Sequence, residues 1–143
     1  MPIHRLRFLI VDPSATTRRI LRNLLREIGP VQIDEAADSR SALAWLASTP
    51  CDFLIAETQI PIIDGFELVA TVRRDPSRQT LPALLVTREA NKDQVVRAAR
   101  VGASGYIVRP LTRSALEDKI LSILGLPARP ATRRHEVAQR IAR

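Results

Sequence analysis

Two places in this 143-residue chain carry side chains whose type and setting could do chemistry. The first is Glu57. It closes the apolar run Phe53-Leu54-Ile55-Ala56 and is followed by Thr58-Gln59-Ile60-Pro61 and then Asp64-Gly65. Such a run reads as a buried strand, and an acid at the C-terminal end of a parallel strand lies where open α/β folds place their chemistry. The second is the arginine cluster Arg129, Arg133, Arg134, Arg140 and Arg143, opposed by Glu136 alone. Arg129 and Arg133 have an Arg-x-x-x-Arg spacing. Guanidinium pairs bidentately with phosphate and with guanine O6 and N7, so two groups so spaced can grip a guanine dinucleotide. Alone the spacing is weakly specific, since a basic tail matches it often.

The elements that must position these groups alternate between short apolar strands and amphipathic helices. Phe8-Leu9-Ile10-Val11 predicts a strand buried on both faces. A helix starting at Ser14 has apolar positions Ile20, Leu21, Leu24, Leu25 and Ile28, and Gly29-Pro30 ends it. A weaker strand covers Ile33 to Ala36. Helix 39–48, strand 53–56 and a helix from Phe66 to Arg73 follow. Ala83-Leu84-Leu85-Val86 is the next strand, then helix 91–101 ending at Gly102, strand Tyr106-Ile107-Val108, and helix 113–124 stopping at Gly125. Five βα units predict an α/β fold, flavodoxin-like, with a five-stranded parallel sheet and helices on both faces. The domain is expected over 1–125, and 126–143 as an arginine-rich tail. Pro127 and Pro130 forbid a continued helix there. Thr132 could cap a short last helix with Val137 and Ile141 on one face, the alternative being a frayed, solvated end.

Composition bounds the function. The chain carries a net charge of +7, of which residues 126–143 supply +4. Of the 22 basic residues only Lys92 and Lys119 are lysine; a coding bias toward arginine explains that in the body better than in the tail. No apolar run approaches the length of a membrane span, and Met1-Pro2-Ile3-His4-Arg5 lacks the core of a signal peptide. The lone Cys51 excludes an internal disulfide and a zinc ligand set and reads as a small apolar filler. A cytoplasmic protein is expected. Arg18, Arg22 and Arg26 form a stripe that reads as a solvated helix face. Trp45 should lean outward from a helix whose inner face is Ala42, Leu43 and Leu46, half-buried against a neighbour or serving as a partner's anchor.

Residues 6–124 closely resemble the CheY-like response-regulator receiver family. Phe8-Leu9-Ile10-Val11-Asp12, Arg18-Arg19-Ile20, Arg22-Asn23-Leu24-Leu25, Asp64-Gly65, Val86-Thr87, Gly102-Ala103-Ser104-Gly105-Tyr106 and Arg109-Pro110 match its pattern. The resemblance implies a phosphorylation pocket, which in the family holds an aspartate nucleophile, an acidic pair for magnesium, a hydroxyl residue and a lysine. Asp12 matches the first acid and Thr87 the hydroxyl. Pro13 stands in place of the second acid, Glu57 in place of the nucleophile and Arg109 in place of the lysine. Magnesium tolerates little departure from octahedral oxygen coordination, and the Pro13 side chain has no oxygen. Glu57 reaches one methylene further, roughly 1.5 Å. Misplacement by about 1 Å costs on the order of a hundredfold in a positioned reaction. The fork of Arg109 favours a paired carboxylate. These departures predict a Glu57–Arg109 ion pair, no resident metal and no phosphorylation.

In CheY-like proteins Thr87 and Tyr106 would couple the acid pocket to a protein-binding face, here residues 88–124; the plain alternative for Tyr106 is core packing. A receiver with altered phosphorylation residues and an arginine-rich end resembles the Cle subfamily of CheY-like proteins, which bind cyclic di-GMP and act at the flagellar motor. That implies a non-enzymatic binding module in which Arg129, Arg133, Arg134 and Arg140 hold cyclic di-GMP and the 88–124 face engages the flagellar motor switch protein. Two alternatives stay open: a divergent phosphoacceptor using Asp12, Glu57 and Thr87, and a constitutive scaffold with an idle tail. Nucleic-acid binding by five arginines would be weak and salt-sensitive, and no DNA-reading module is present.

Overall fold

The computed structural model describes residues 3–29, 32–89 and 91–127. The calls on Arg129, Arg133, Arg134 and Arg140, and on a short helix from Thr132, lie outside them. Five strands, β1 (Arg7–Val11), β2 (Gln32–Ala36), β3 (Phe53–Glu57), β4 (Ala83–Thr87) and β5 (Gly105–Val108), form one parallel sheet in the order β2-β1-β3-β4-β5. Five α-helices alternate with them: α1 (Ala15–Ile28), α2 (Ser39–Ser48), α3 (Gly65–Arg74), α4 (Lys92–Val101) and α5 (Arg113–Leu124). Short 3-10 turns occur at Ile3–Arg5 and Pro76–Arg78.

Period-two alternation in the strands divides the core into two layers. Phe8, Ile10, Phe53, Ile55, Leu84 and Val86 face α1 and α5, meeting Leu21, Leu25, Leu116 and Ile120. The rings of Phe8 and Phe53 stack in this layer with centroids 4.9 Å apart. Leu9, Val11, Leu54, Ala56 and Leu85 face the opposite layer, where α2, α3 and α4 contribute Ala42, Leu46, Leu68, Val72 and Ala98. Ser14, Asp38, Asp64, Asn91 and Thr112 cap the helix N-termini through side-chain oxygens. Gly102 and Gly125 close α4 and α5 with left-handed φ of 86° and 69°, where a Cβ would be strained.

Two surface readings change. Ile20 belongs to the apolar periodicity of α1 yet is 56% exposed, because the stripe is wider than the surface that β1 and α5 cover. Arg18 and Arg22 are not a solvated face: both pair with Glu35 of β2, at 3.0 and 2.5 Å, and both donate to backbone carbonyls, of Asp12 and Ile33. Only Arg26 of that stripe is exposed. Trp45 is half-buried against the α2–α4 layer, and so is Cys51. Burial pushes the Cys51 thiol up to about 11, which keeps it protonated and inert.

Candidate functional site

The sheet order creates the site. β1 sends its chain to β2 on one side, and β3 sends its chain to β4 on the other, so the ends of β1 and β3 form a crevice. Register sets Val11 beside Ala56, so the next residues, Asp12 and Glu57, project together. Thr87 ends β4 beside Val108 of β5, and Arg109 follows. Four of the side chains expected from the sequence thus stand in a row at one end of the sheet.

Asp12 is buried. Its Oδ1 accepts from the Ser14 amide at 2.8 Å, and its Oδ2 accepts from Arg109 Nη2 at 2.5 Å. The same Nη2 lies 3.0 Å from Glu57 Oε2. Arg109 therefore bridges both acids, whereas the sequence predicts its pairing with Glu57 alone. Its own amide donates to the Thr87 carbonyl at 2.8 Å, which anchors it. Glu57 is only 7% exposed, and its Oε2 has no aligned hydrogen bond despite the nearby cation. The pair is held by charge without directional bonding. Burial pushes the Glu57 carboxyl up, opposed by Arg109 and reinforced by the Asp12 charge.

Backbone packing holds Glu57 from behind. The Gly65 amide donates to the Thr58 carbonyl at 2.9 Å. A Cβ at Gly65 would lie 2.3 Å from the Glu57 carbonyl oxygen, so only glycine fits. Asp64, which caps α3, also takes an ion pair from Arg97 at 3.0 Å, while the Arg97 guanidinium lies over the Phe66 ring. In the loop between Glu57 and Asp64, Ile62 has a left-handed φ of 82° and is 61% exposed.

A second, uncharged chain leads away from Glu57. Thr58 Oγ1 lies 3.3 Å from both Glu57 Oε1 and Thr87 Oγ1. Thr87 donates to Gln94 Oε1 at 2.9 Å, and the Tyr106 hydroxyl lies 3.0 Å from that same oxygen and donates to the Glu89 carbonyl at 2.7 Å. Glu89 returns an amide bond to Thr87 Oγ1 at 3.2 Å. The sequence reading gives neither Thr58 nor Gln94 a role in the site. The only signal was position, since Thr58 follows the acid and Gln94 lies in the first turn of α4. Tyr106 also packs its ring against the α2–α4 layer, so the core and coupling readings describe two ends of one side chain.

A chain with this sheet order and this row of groups can be compared with known proteins. Residues 8–121 match the response regulator receiver domain, so the chain belongs to that family. It is 42% identical over 118 residues to a chemotaxis protein CheY of Pseudomonas aeruginosa, covering 82% of this chain and 95% of that one. It is 38% identical over 115 residues to the chemotaxis protein CheY-3 of Vibrio cholerae, covering 80% and 88%. The crystal structure of the response regulator CheY4 of Vibrio cholerae superposes with a TM-score of 0.77 at 29% identity, covering 82% of this chain and 98% of that one. A signal receiver domain of a histidine kinase from Syntrophus aciditrophicus gives 0.77 at 28% identity, covering 85% and 91%. Among the described residues no helix is long and apolar enough to cross a membrane.

Proposed function

We propose that this CheY-like receiver works without phosphate, as a binding module whose arginine-rich C-terminal stretch takes cyclic di-GMP and whose 88–124 face engages the flagellar motor switch protein. The observation that carries the first half is the position of Arg109. Its Nη2 lies 2.5 Å from an oxygen of Asp12 and 3.0 Å from one of Glu57, so the two acids already share a cation. Magnesium has no place in this reading. Pro13 offers no side-chain oxygen, and the oxygens of Asp12 and Glu57 that face each other are already bridged by a guanidinium. The chain from Thr58 through Gln94 to Tyr106 then fixes the 88–124 face without a transferred group. The relatives named for chemotaxis, CheY of Pseudomonas aeruginosa and CheY-3 of Vibrio cholerae, support the choice of the motor as target. The arginine spacing from Arg129 to Arg140 supports the ligand.

One observation favours a second reading. Asp12 and Thr87 flank Glu57 as a phosphoacceptor pocket requires, so a divergent phosphoacceptor is the competitor. Calorimetric titration of cyclic di-GMP at physiological salt tests the ligand. We expect micromolar or tighter binding, lost when Arg129, Arg133 and Arg134 are changed to Ala. Equal binding by that variant, or no binding by the unmodified protein, overturns the assignment.

A further inference from the structure

A groove of about 440 Å³ opens beside the acid pocket, between α1 and the segment joining β5 to α5. Ile20, Leu21 and Leu24 of α1 form one wall, and Pro110 and Leu111 stand opposite. Ile20 is the exposed residue of the α1 stripe, left uncovered over this opening. Small-molecule sites are typically concave, mostly apolar and of roughly 300–1,000 Å³, with a few polar groups that fix orientation. The polar groups here are the Thr17 hydroxyl and the guanidinium groups of Arg88 and Arg109. Arg109 is already shared by Asp12 and Glu57. Arg88 is exposed just beyond β4, and none of the ion pairs among the described residues involves it.

This lining selects a ligand chemistry. Among the described residues none of those lining the groove is aromatic, acidic or a side-chain amide. A planar ring would find no ring to stack on. A sugar or a base edge would leave most of its donors and acceptors unpaired against apolar walls, which is costly. A polyanion needs more than one free cation. What fits is an aliphatic chain that ends in a single negative charge: the walls take the methylenes, and one unengaged guanidinium takes two carboxylate oxygens.

We propose that this groove binds a fatty carboxylate, with its alkyl chain between α1 and Pro110–Leu111 and its head group on Arg88. Such a site is built from the body of the receiver alone and is independent of the arginine-rich C-terminal stretch and its ligand. Because Arg109 both lines the groove and bridges the two acids, a carboxylate seated there adjoins the ion cluster directly.

The test is calorimetric titration of octanoate into the full chain and into Ile20→Asp and Arg88→Ala, with thermal melts by circular dichroism on each protein. Octanol, which keeps the chain and loses the charge, and butanoate, which keeps the charge and shortens the chain, are titrated beside it. Ile20 and Arg88 are exposed, so their variants are expected to melt with the unmodified protein. Arg88→Ala decides the matter should Ile20→Asp disturb α1. The expected result is saturable one-to-one binding of octanoate, weakened about tenfold or more by Arg88→Ala, by Ile20→Asp and by the loss of charge in octanol. Butanoate is expected to bind more weakly still, since each buried methylene contributes roughly fourfold in affinity. Equal binding of octanoate by Arg88→Ala, or of octanol by the unmodified protein, overturns the assignment of the head group and with it the proposal. Absence of octanoate binding by the unmodified protein also overturns it and leaves an acidic amphipathic helix of a protein partner as the better occupant.

Discussion

The two halves of the pocket differ in kind. Where β1 and β3 end, the groups are charged and crowded: two buried carboxylates share one guanidinium, and one carboxylate oxygen lacks an aligned donor. Where β4 and β5 end, the groups are neutral and linked: Thr87 and Tyr106 converge on one oxygen of Gln94. The first half is where Pro13, Glu57 and Arg109 depart from the family's pattern. The second keeps Thr87 and Tyr106. The contrast teaches that the charged and the neutral groups form two side-chain networks, which meet at Thr58 and at the backbone bond from Arg109 to Thr87.

Breaking the charged half should have the largest effect. Arg109→Ala leaves two acids facing each other with no cation, and removing one partner of a buried cluster costs several kcal/mol. Because Arg109 is partly exposed, we expect a loss of about 2–3 kcal/mol at neutral pH, read by urea denaturation. The loss should shrink as pH falls and one carboxylate takes a proton. Glu57 sharpens the same point. Folding raises its carboxyl above the ordinary glutamate range, chiefly through burial. Its contribution to stability is therefore fully present below the unfolded value and is lost as pH rises through the higher folded value. Glu57→Gln should flatten the decline of stability with pH across that window, and urea midpoints measured at a series of pH values will show it.

The neutral half should respond less in stability and more in conformation. Gln94→Leu deprives the Thr87 and Tyr106 hydroxyls of a shared acceptor. We expect about 1 kcal/mol of destabilisation and a changed near-ultraviolet signal from Tyr106, the chain's single tyrosine. An unchanged tyrosine signal would break the link between the halves. The smallest effect is a gain. Ile62 holds a left-handed backbone that a β-branched side chain disfavours, and it is exposed. Ile62→Gly should stabilise by roughly 0.5–1 kcal/mol, seen as a raised thermal midpoint.

Much of this could be read in the sequence because it depends on local pattern. The apolar runs at 8–11, 53–56 and 83–86 and the glycines after α4 and α5 mark the elements wherever they finally pack. Asp12, Glu57, Thr87 and Arg109 could be placed together because each closes or follows a strand of one parallel sheet. What could not be read depends on which element lies beside which. Arg18 and Arg22 find Glu35 only because β2 is the edge strand next to β1. Arg109 takes Asp12 as well as Glu57 because β1 and β3 are neighbours in register. Gln94 joins the hydroxyl chain through the orientation of α4, which apolar periodicity constrains only by face. Ile20 looks like core on a helical wheel, and only the position of the β5–α5 segment decides that it borders a groove.

The central claim is that the Arg109-bridged acid pocket has left phosphoryl chemistry. Its most direct test is incubation of the purified protein with acetyl phosphate and magnesium, followed by intact mass measurement beside Glu57→Gln. The account predicts no phosphoryl adduct on either protein. A stoichiometric adduct on the unmodified protein that disappears in Glu57→Gln would contradict it and make this chain a phosphoacceptor with an unusual acid.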